Sequence, residues 1–375
     1  MAGIYLHIPF CKKRCIYCDF YSTTRSELRT RYVDALCREL RLRRDYLQGE
    51  TVRTLYLGGG TPSQLTAEEL RQLFDTLKAC FDLRHTEEIT LEANPDDLTE
   101  TYVAQLTELP INRISMGIQT FDDATLQLLN RRHTARQAIE AVERCRRYGF
   151  DNLSIDLIYG LPGETESRWQ EDLRQAMALR PAHLSAYHLT YEAGTPLHRL
   201  LMQHQVDEVD EERSLRFFRT LTDTLHRHGY VHYEISNFCL PGCHSRHNMS
   251  YWQEVPYLGC GPSAHSYNRR AREWNSADLL SYIIGIEQGK RPYETEPLDT
   301  EARYNERVMT SLRTRQGLSL EQLQRDFGLA LSQYCLRMAS PFLHRGLLEI
   351  DEGRLRLTEE GIFISDSILC ELMHV

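Results

Sequence analysis

An α/β fold over residues 1–205, followed by a mainly helical C-terminal part, is predicted by three observations. Short β-branched or aromatic runs alternate with longer helical patterns through the first half of the chain. Residues able to do chemistry cluster just after those runs. Past residue 205 the alternation stops. Strands alternating with helices imply a parallel sheet with crossover helices. A partial barrel and a doubly wound open sheet both satisfy that pattern.

IYLHI (4–8) is the first strand, followed by a cysteine-rich loop and a helix from about Glu27 to Leu47. RTLYL (53–57) runs into Gly58-Gly59-Gly60-Thr61-Pro62, and Thr66 with Glu69 forms a capping box for the next helix. EITLE (88–92) and RISMGI (113–118) are the third and fourth strands. Thr134 with Gln137 opens a helix that stops at Gly149. NLSIDLI (152–158) and HLSAYHL (183–189) complete six strands. The cysteines follow the first strand, the glycine triplet the second, and Glu92 ends the third. Gln119 ends the fourth, and Asp156 with the turn Tyr159–Gly163 closes the fifth. Functional groups of barrel-like α/β folds gather at the C-terminal ends of strands, so these residues are expected to share one site.

Beyond residue 205 the pattern reads as a helix (209–228), a strand VHYEISNF (231–238), the segment CLPGCHSRHNMSYW (239–252) and a Gly/Pro/Ser-rich loop near 259–263. From 298 onward there are helices, one of them LSLEQLQRDFG, and a hairpin over 347–361 turning at Glu352-Gly353. Helices with a small β-wing predict a winged-helix-like C-terminal domain. The expected division is therefore 1–205, 206–295 and 296–375.

A net charge of −9 argues against nucleic-acid binding. No run approaches the roughly 18 apolar residues of a membrane span. MAGIYLHIPFC lacks the pattern of a secretory signal, so a cytoplasmic protein is expected, which leaves room for peripheral membrane contact. Eleven cysteines then read as thiols or metal ligands. Arg38, Arg41, Arg43 and Arg44 read as a solvated helix face.

Cys11, Cys15 and Cys18 are the densest group. Structural zinc wants four protein ligands, and His7 on the preceding strand points away from the loop. An iron–sulfur cube is usually held by four thiolates, and three would leave one iron open. Lys12, Lys13 and Arg14 are expected to lower the thiol pKa values.

Cys11-x3-Cys15-x-Tyr17-Cys18 resembles the signature of the radical S-adenosylmethionine (SAM) superfamily. The resemblance implies a 4Fe–4S cluster on the three cysteines, SAM on the open iron, and a partial (β/α)6 barrel. YLHIPFC, LGGGTPS, ITLEANP, RISMGIQTF, LLNRRH and SIDLIYGLPGET further resemble the oxygen-independent coproporphyrinogen oxidase group. On that likeness Tyr5, Gly59, Gly60, Thr61, Glu92, Gln119, Arg131, Asp156 and Thr190 are candidate SAM contacts, alongside Tyr17 of the signature. Read without the likeness, Asp156 caps a turn, Arg131 is a surface arginine and Glu92 ends a strand.

The group has two branches. Its oxidases carry a further cysteine, C-x3-C-x2-C-x-C, and a longer N-terminal extension. Here Phe20 stands at that position and the first strand starts at Gly3, which matches the haem-chaperone branch. RHNMSYW (246–252) resembles the H-N-x-x-Y-W haem motif of that branch, making His247 the expected iron ligand beside the flat rings of Tyr251 and Trp252. The alternatives are a hydrogen-bonded histidine at a domain junction, a zinc site of Cys239, Cys243, His244 and His247, or a thiolate ligand from Cys239 or Cys243. The implied partners are haem or a porphyrin and an apo-haemoprotein recipient. The implied functions are haem delivery, decarboxylation of coproporphyrinogen III to protoporphyrinogen IX, or a non-catalytic Fe–S module.

Overall fold

The computed structural model describes residues 1–374. Strands β1 (Ala2–Ile8), β2 (Val52–Gly59), β3 (Glu88–Ala93), β4 (Arg113–Gln119), β5 (Leu153–Tyr159) and β6 (His183–His188) lie side by side in chain order. Each runs parallel to the next. The register sorts side chains into two sets, because successive residues of a strand face opposite sides. One row pairs Leu6 with Leu57, Leu57 with Leu91, Leu91 with Ile114, and Met116 with Ile155, which pairs in turn with Leu184. All of these are buried with the apolar faces of helices Arg29–Leu42, Ala67–Cys80, Ala135–Arg147 and Glu166–Leu179. The other row carries Tyr5, Tyr56, Glu92, Arg113, Ser115, Asp156 and Ser185. The open sheet of the two-way expectation is thereby set aside: this is a six-stranded partial barrel, helix-covered outside and polar within.

Both expected capping boxes are present. The hydroxyls of Thr66 and Thr134 accept from the N–H groups of Glu69 and Gln137, whose side chains accept in return. Helix Arg29–Leu42 ends short of the expected Leu47, because the chain passes into turns that reach positive φ at Gln48 and Gly49. Arg43 departs from the solvated face expected of it. It is 7% exposed and donates to the Gly259 carbonyl (2.7 Å) and to Glu273 (3.1 Å), locking the helix end to the sheet.

The sheet extends past the barrel at both edges. The expected single strand 231–238 is a hairpin, β7 (Val231–Glu234) and β8 (Asn237–Cys239), because Glu234 accepts from the Ser236 N–H in a tight turn. β8 runs antiparallel to β6. At the other edge β9 (Tyr257–Cys260) runs parallel to β1, followed by antiparallel β10 (His265–Tyr267), β11 (Ala271–Asn275) and β12 (Tyr293–Pro297). The sequence reads the start of this segment as loop because of its glycines. Their role is close packing: a Cβ on Gly259 would lie 1.9 Å from the His265 carbonyl oxygen.

A second core gathers Tyr304, Val308, Leu312, Leu323, Cys335 and Ile368. It is built by helices Thr300–Leu312 and Leu320–His344, the latter broken at Gly328 (φ 83°), and by a small antiparallel sheet of Leu318–Ser319, Leu348–Asp351 and Arg354–Leu357. The hairpin turns at Glu352 and Gly353, both at positive φ. This is the winged-helix-like arrangement expected. Backbone bonds from Ile235 to the Arg313 carbonyl (3.2 Å) and from Arg315 to the Tyr233 carbonyl (3.0 Å) stitch it to β7.

Gly259→Ala should lose about 2 kcal/mol or more, since the methyl meets backbone that cannot swing aside. Thr66→Ala should lose about 1 kcal/mol. Urea denaturation of the two variants against wild type checks both, and equal losses would discount the close approach of β9 and β10.

Candidate functional site

The loop after β1 is held on three sides. The N–H of Cys11 donates to the Thr23 carbonyl (2.9 Å) and that of Thr23 to the Pro9 carbonyl (2.7 Å), closing its base. The N–H of Ile16 donates to the Leu129 carbonyl (3.2 Å), and its carbonyl accepts from Leu197 (2.9 Å). Ile16 and Tyr17 rest on an apolar cluster of Leu129, Ile158, Leu161, Leu189 and Leu197 beyond the ends of β5 and β6. The loop thus sits over the C-terminal mouth of the barrel.

Each cysteine sulfur has a donor. The Thr61 hydroxyl donates to Cys11 Sγ (3.3 Å) and the Arg131 guanidinium to Cys15 Sγ (3.3 Å). Cys18 Sγ accepts from the Phe20 N–H. Burial pushes the Cys11 thiol up and that of Cys18 up to about 11. This corrects the expectation from Lys12, Lys13 and Arg14. All three are exposed, Lys12 pairs with Asp97 (3.0 Å), and the cation that acts on a loop thiol is Arg131. Cys11 and Cys18 therefore keep their protons at neutral pH until a metal charge displaces them.

The glycine triplet owes its composition to its neighbours. Gly59 has φ 106°, and a Cβ there would meet the His7 ring at 2.6 Å, while one on Gly60 would meet the Pro9 carbonyl carbon at 2.7 Å. The Gly59 N–H donates to Glu92 Oε2 (3.1 Å), and Tyr56 donates to Glu92 Oε1 (2.7 Å). Gln119 ends β4 at φ 73°, a strained conformation for a residue with a side chain, where the β4–β5 register shifts. Its amide lies over Gly117, beside Arg131. Arg131 donates to Asn94 Oδ1 (2.8 Å) and to the Gly117 carbonyl, while its buried Nε has no partner. Asp156 pairs in register with Gly117 and Ser185 and is bonded by Ser185 and, at 3.5 Å, Ser115.

Cys11, Cys15, Cys18, Tyr17, Thr61 and Arg131 are therefore one contact network, with Gly59, Gly60, Glu92, Gln119 and Asp156 along the strand ends beneath it. Tyr5 lies deeper, its hydroxyl 3.0 Å from His7 Nδ1. Thr190 is exposed beyond β6. His247 stands apart from all of these except Tyr5. Its helix, Arg246–Trp252, is capped by Glu88, which accepts from the N–H groups of Arg246 and His247 (both 2.9 Å). Glu88 and Thr54 belong to the starts of β3 and β2, so the helix closes the N-terminal end of the barrel. His247 is fully buried, Nδ1 bonded to Thr54 (2.8 Å) and Nε2 to Tyr251 (2.8 Å). Both ring nitrogens therefore have hydroxyl partners, the hydrogen-bonded arrangement that the sequence leaves open beside iron ligation. Among the described residues no three His, Cys, Asp or Glu side chains converge as a single ion requires, the group of Cys239, Cys243, His244 and His247 included.

Sequence reading missed Arg113. It is 1% exposed in the polar row, its Nε has no partner, and its charge acts on both Glu92 and Asp156. The signal was present as the alternation Arg113, Ser115, Gly117, which puts the arginine on the inner face.

Burial raises Glu92 from 4.5 to about 7. Between those values the unfolded chain loses its proton first, so stability falls as pH rises through that window. In Glu92→Gln that slope should flatten, because the amide can accept from Gly59 and donate to Tyr56 without titrating. Denaturation midpoints across pH 4.5 to about 7 test it; an unchanged slope would move the source elsewhere.

Residues 5–176 match the radical SAM superfamily and residues 298–364 the HemN C-terminal domain. The chain is 33% identical over 365 residues to a protein of Lactococcus lactis named heme chaperone HemW, covering 97% of this chain and 95% of that one. The HemW of Bacillus subtilis is 32% identical, with 98% of each chain covered. The solved structure of Escherichia coli coproporphyrinogen III oxidase, HemN, superposes with a TM-score of 0.87 at 24% identity, covering 99% of this chain and 90% of that one, and shares the fold. The three-cysteine loop on a six-stranded partial barrel, and the near full-length identity, place this chain in the radical SAM superfamily, as a member of the heme chaperone HemW family.

Proposed function

We propose that this chain is a haem chaperone: it binds haem, carries a radical-SAM cluster, and hands haem to apo-haemoproteins. The observation that carries the reading is the cysteine loop, in a chain that aligns almost end to end with proteins named heme chaperone. Three sulfurs, each accepting a hydrogen bond, suit a 4Fe–4S cluster with one open iron. When bound, that cluster supplies an iron for the amino and carboxylate groups of SAM and an electron for its reductive cleavage.

Cys11, Cys15 and Cys18 would hold the cluster, and Thr61, Arg131 and the Phe20 N–H would tune it through their bonds to sulfur. Gly59, Gly60, Thr61, Glu92, Gln119, Arg131 and Asp156 would line the SAM site, with Tyr5 below, Tyr17 on the loop and Thr190 at the rim. Arg131 supports this assignment with a buried Nε free for a carboxylate. Glu92, half-neutral near pH 7, suits a hydroxyl or amino group as partner. The division into a barrel (1–205), an extension carrying the H-N-x-x-Y-W helix (206–295) and a C-terminal domain (296–375) is part of the same proposal. No helix among the described residues is long and apolar enough to cross a membrane.

The shared fold does not separate this reading from coproporphyrinogen decarboxylation. Phe20, in place of the oxidase cysteine, favours the chaperone. Anaerobically reconstituted protein should bind haem, transfer it to apomyoglobin, and leave coproporphyrinogen III unchanged in the presence of SAM and reductant. Turnover to protoporphyrinogen IX would overturn the proposal. Cys15→Ala should lose bound iron and sulfide, and Thr61→Val should retain them while its reduction potential falls, as read by a redox titration followed by electron paramagnetic resonance.

A further inference from the structure

Of the histidines on β1, on the H-N-x-x-Y-W helix and on β10, two have both ring nitrogens engaged. His247 is bonded at both ring nitrogens, as described. His7 spends Nδ1 on the Tyr5 hydroxyl and Nε2 on the Tyr21 carbonyl (2.9 Å). The third, His265 on β10, is exposed, and among the described residues neither of its ring nitrogens has a hydrogen-bond partner. Its ring stacks on Trp274 with centroids 5.8 Å apart, which fixes the plane of the imidazole.

His265 lines a cleft of about 490 Å³ between β1, the H-N-x-x-Y-W helix, β9, β10 and the C-terminal helix Thr300–Leu312. That size lies within the roughly 300–1,000 Å³ of small-molecule sites. Its walls are flat: Tyr251 and Trp252 on one side, Tyr257 and Tyr267 on another, and Phe20 at the cysteine-loop end. Phe20 is 65% exposed, a large apolar ring left facing solvent. Arg272, paired with Glu306 (2.9 Å), is the guanidinium on the lining.

We infer that haem binds in this cleft, with His265 as its axial iron ligand. The inference rests on the reading of the chain as a haem-binding protein and moves the ligand from the motif helix to β10. Tyr251 and Trp252 of the motif then act as wall, and His247 as the buried post that positions Tyr251. With neither ring nitrogen engaged by the protein, His265 has a lone pair to offer iron. A flat macrocycle suits the aromatic walls, and Arg272 suits a propionate. Phe20 joins the two sites, since its ring faces the cleft while its N–H bonds Cys18 Sγ.

The test is a haem titration of the full-length protein, wild type, His265→Ala and His247→Ala, read by the Soret band and electron paramagnetic resonance. His265→Ala should lose the imidazole-ligated spectrum and at least about tenfold in affinity, the cost of disturbing even an outer partner of a metal ligand. Free imidazole should restore the spectrum. Because its side chain is exposed, the variant should melt as wild type does. His247→Ala should melt at lower temperature yet keep the imidazole spectrum. Wild-type affinity and spectrum in His265→Ala would overturn the ligand assignment, as would loss of ligation in His247→Ala with unchanged melting. A wild-type chain that binds no haem would instead overturn the chaperone reading beneath it.

Discussion

One guanidinium gathers the mouth of the barrel. Arg131 reaches Cys15 on the loop after β1, Asn94 after β3 and the Gly117 carbonyl within β4. Those three points are far apart in sequence, and only the common direction of parallel strands brings their ends to one rim. A planar fork can serve several acceptors at fixed angles, which a lysine cannot do. Removing it would leave a sulfur, an amide oxygen and a carbonyl without a donor in a largely buried place, so the cost falls on the site before it falls on the fold. The strain at Gln119 sits in the same place: its positive φ folds the side chain over Gly117 beside Arg131. The fold supplies the rim, and Arg131 turns the rim into a site.

The six parallel strands were legible because their two rows obey a period of two, and a one-residue slip would have reversed every side chain; that they form a barrel was implied only by the resemblance of the motifs. The helix starts were legible because Thr66 and Thr134 carry their partners three residues on. Illegible parts share a different cause. The strands from β9 to β12 are short and held by the close approach of Gly259 to His265 and by Arg43, whose bonds to Gly259 and Glu273 span 216 and 230 positions. No local pattern announces such pairing. The hairpin of β7 and β8 was hidden in a continuous β-rich run, split by one glutamate that folds onto its own turn.

Electrostatics was the least legible layer. Lys12, Lys13 and Arg14 adjoin the cysteines in sequence, yet long flexible cations on an exposed loop spend their charge on water or, for Lys12, on Asp97. Arg131, remote in sequence, is buried beside the sulfur. Desolvation outweighs proximity along the chain, and so the Cys11 and Cys18 thiols rise where sequence spacing predicts a fall. The same rule acts in the barrel interior, where Glu92 and Asp156 are both raised despite Arg113 between them. An arginine facing two carboxyls that burial pushes toward their neutral form holds positive charge in reserve for a ligand.

His247 and Phe20 lie at opposite sides of what their sequence motifs suggest: one is buried and the other exposed. H-N-x-x-Y-W is recognisable because its spacing is fixed by a short helix, but that helix points its histidine into the barrel floor, where Thr54 and Tyr251 consume it. What the helix presents outward is Tyr251 and Trp252. Phe20, read from sequence only as an absent cysteine, stands at the far end of the same cleft. The oxidase and this chain share the fold, and a fold alone does not set function. A cysteine at this position would add a polar, reactive sulfur beside the cluster loop; phenylalanine adds an inert plane facing a porphyrin-sized space. In the haem site inferred above, the ring at position 20 would then contribute to the wall that takes the macrocycle.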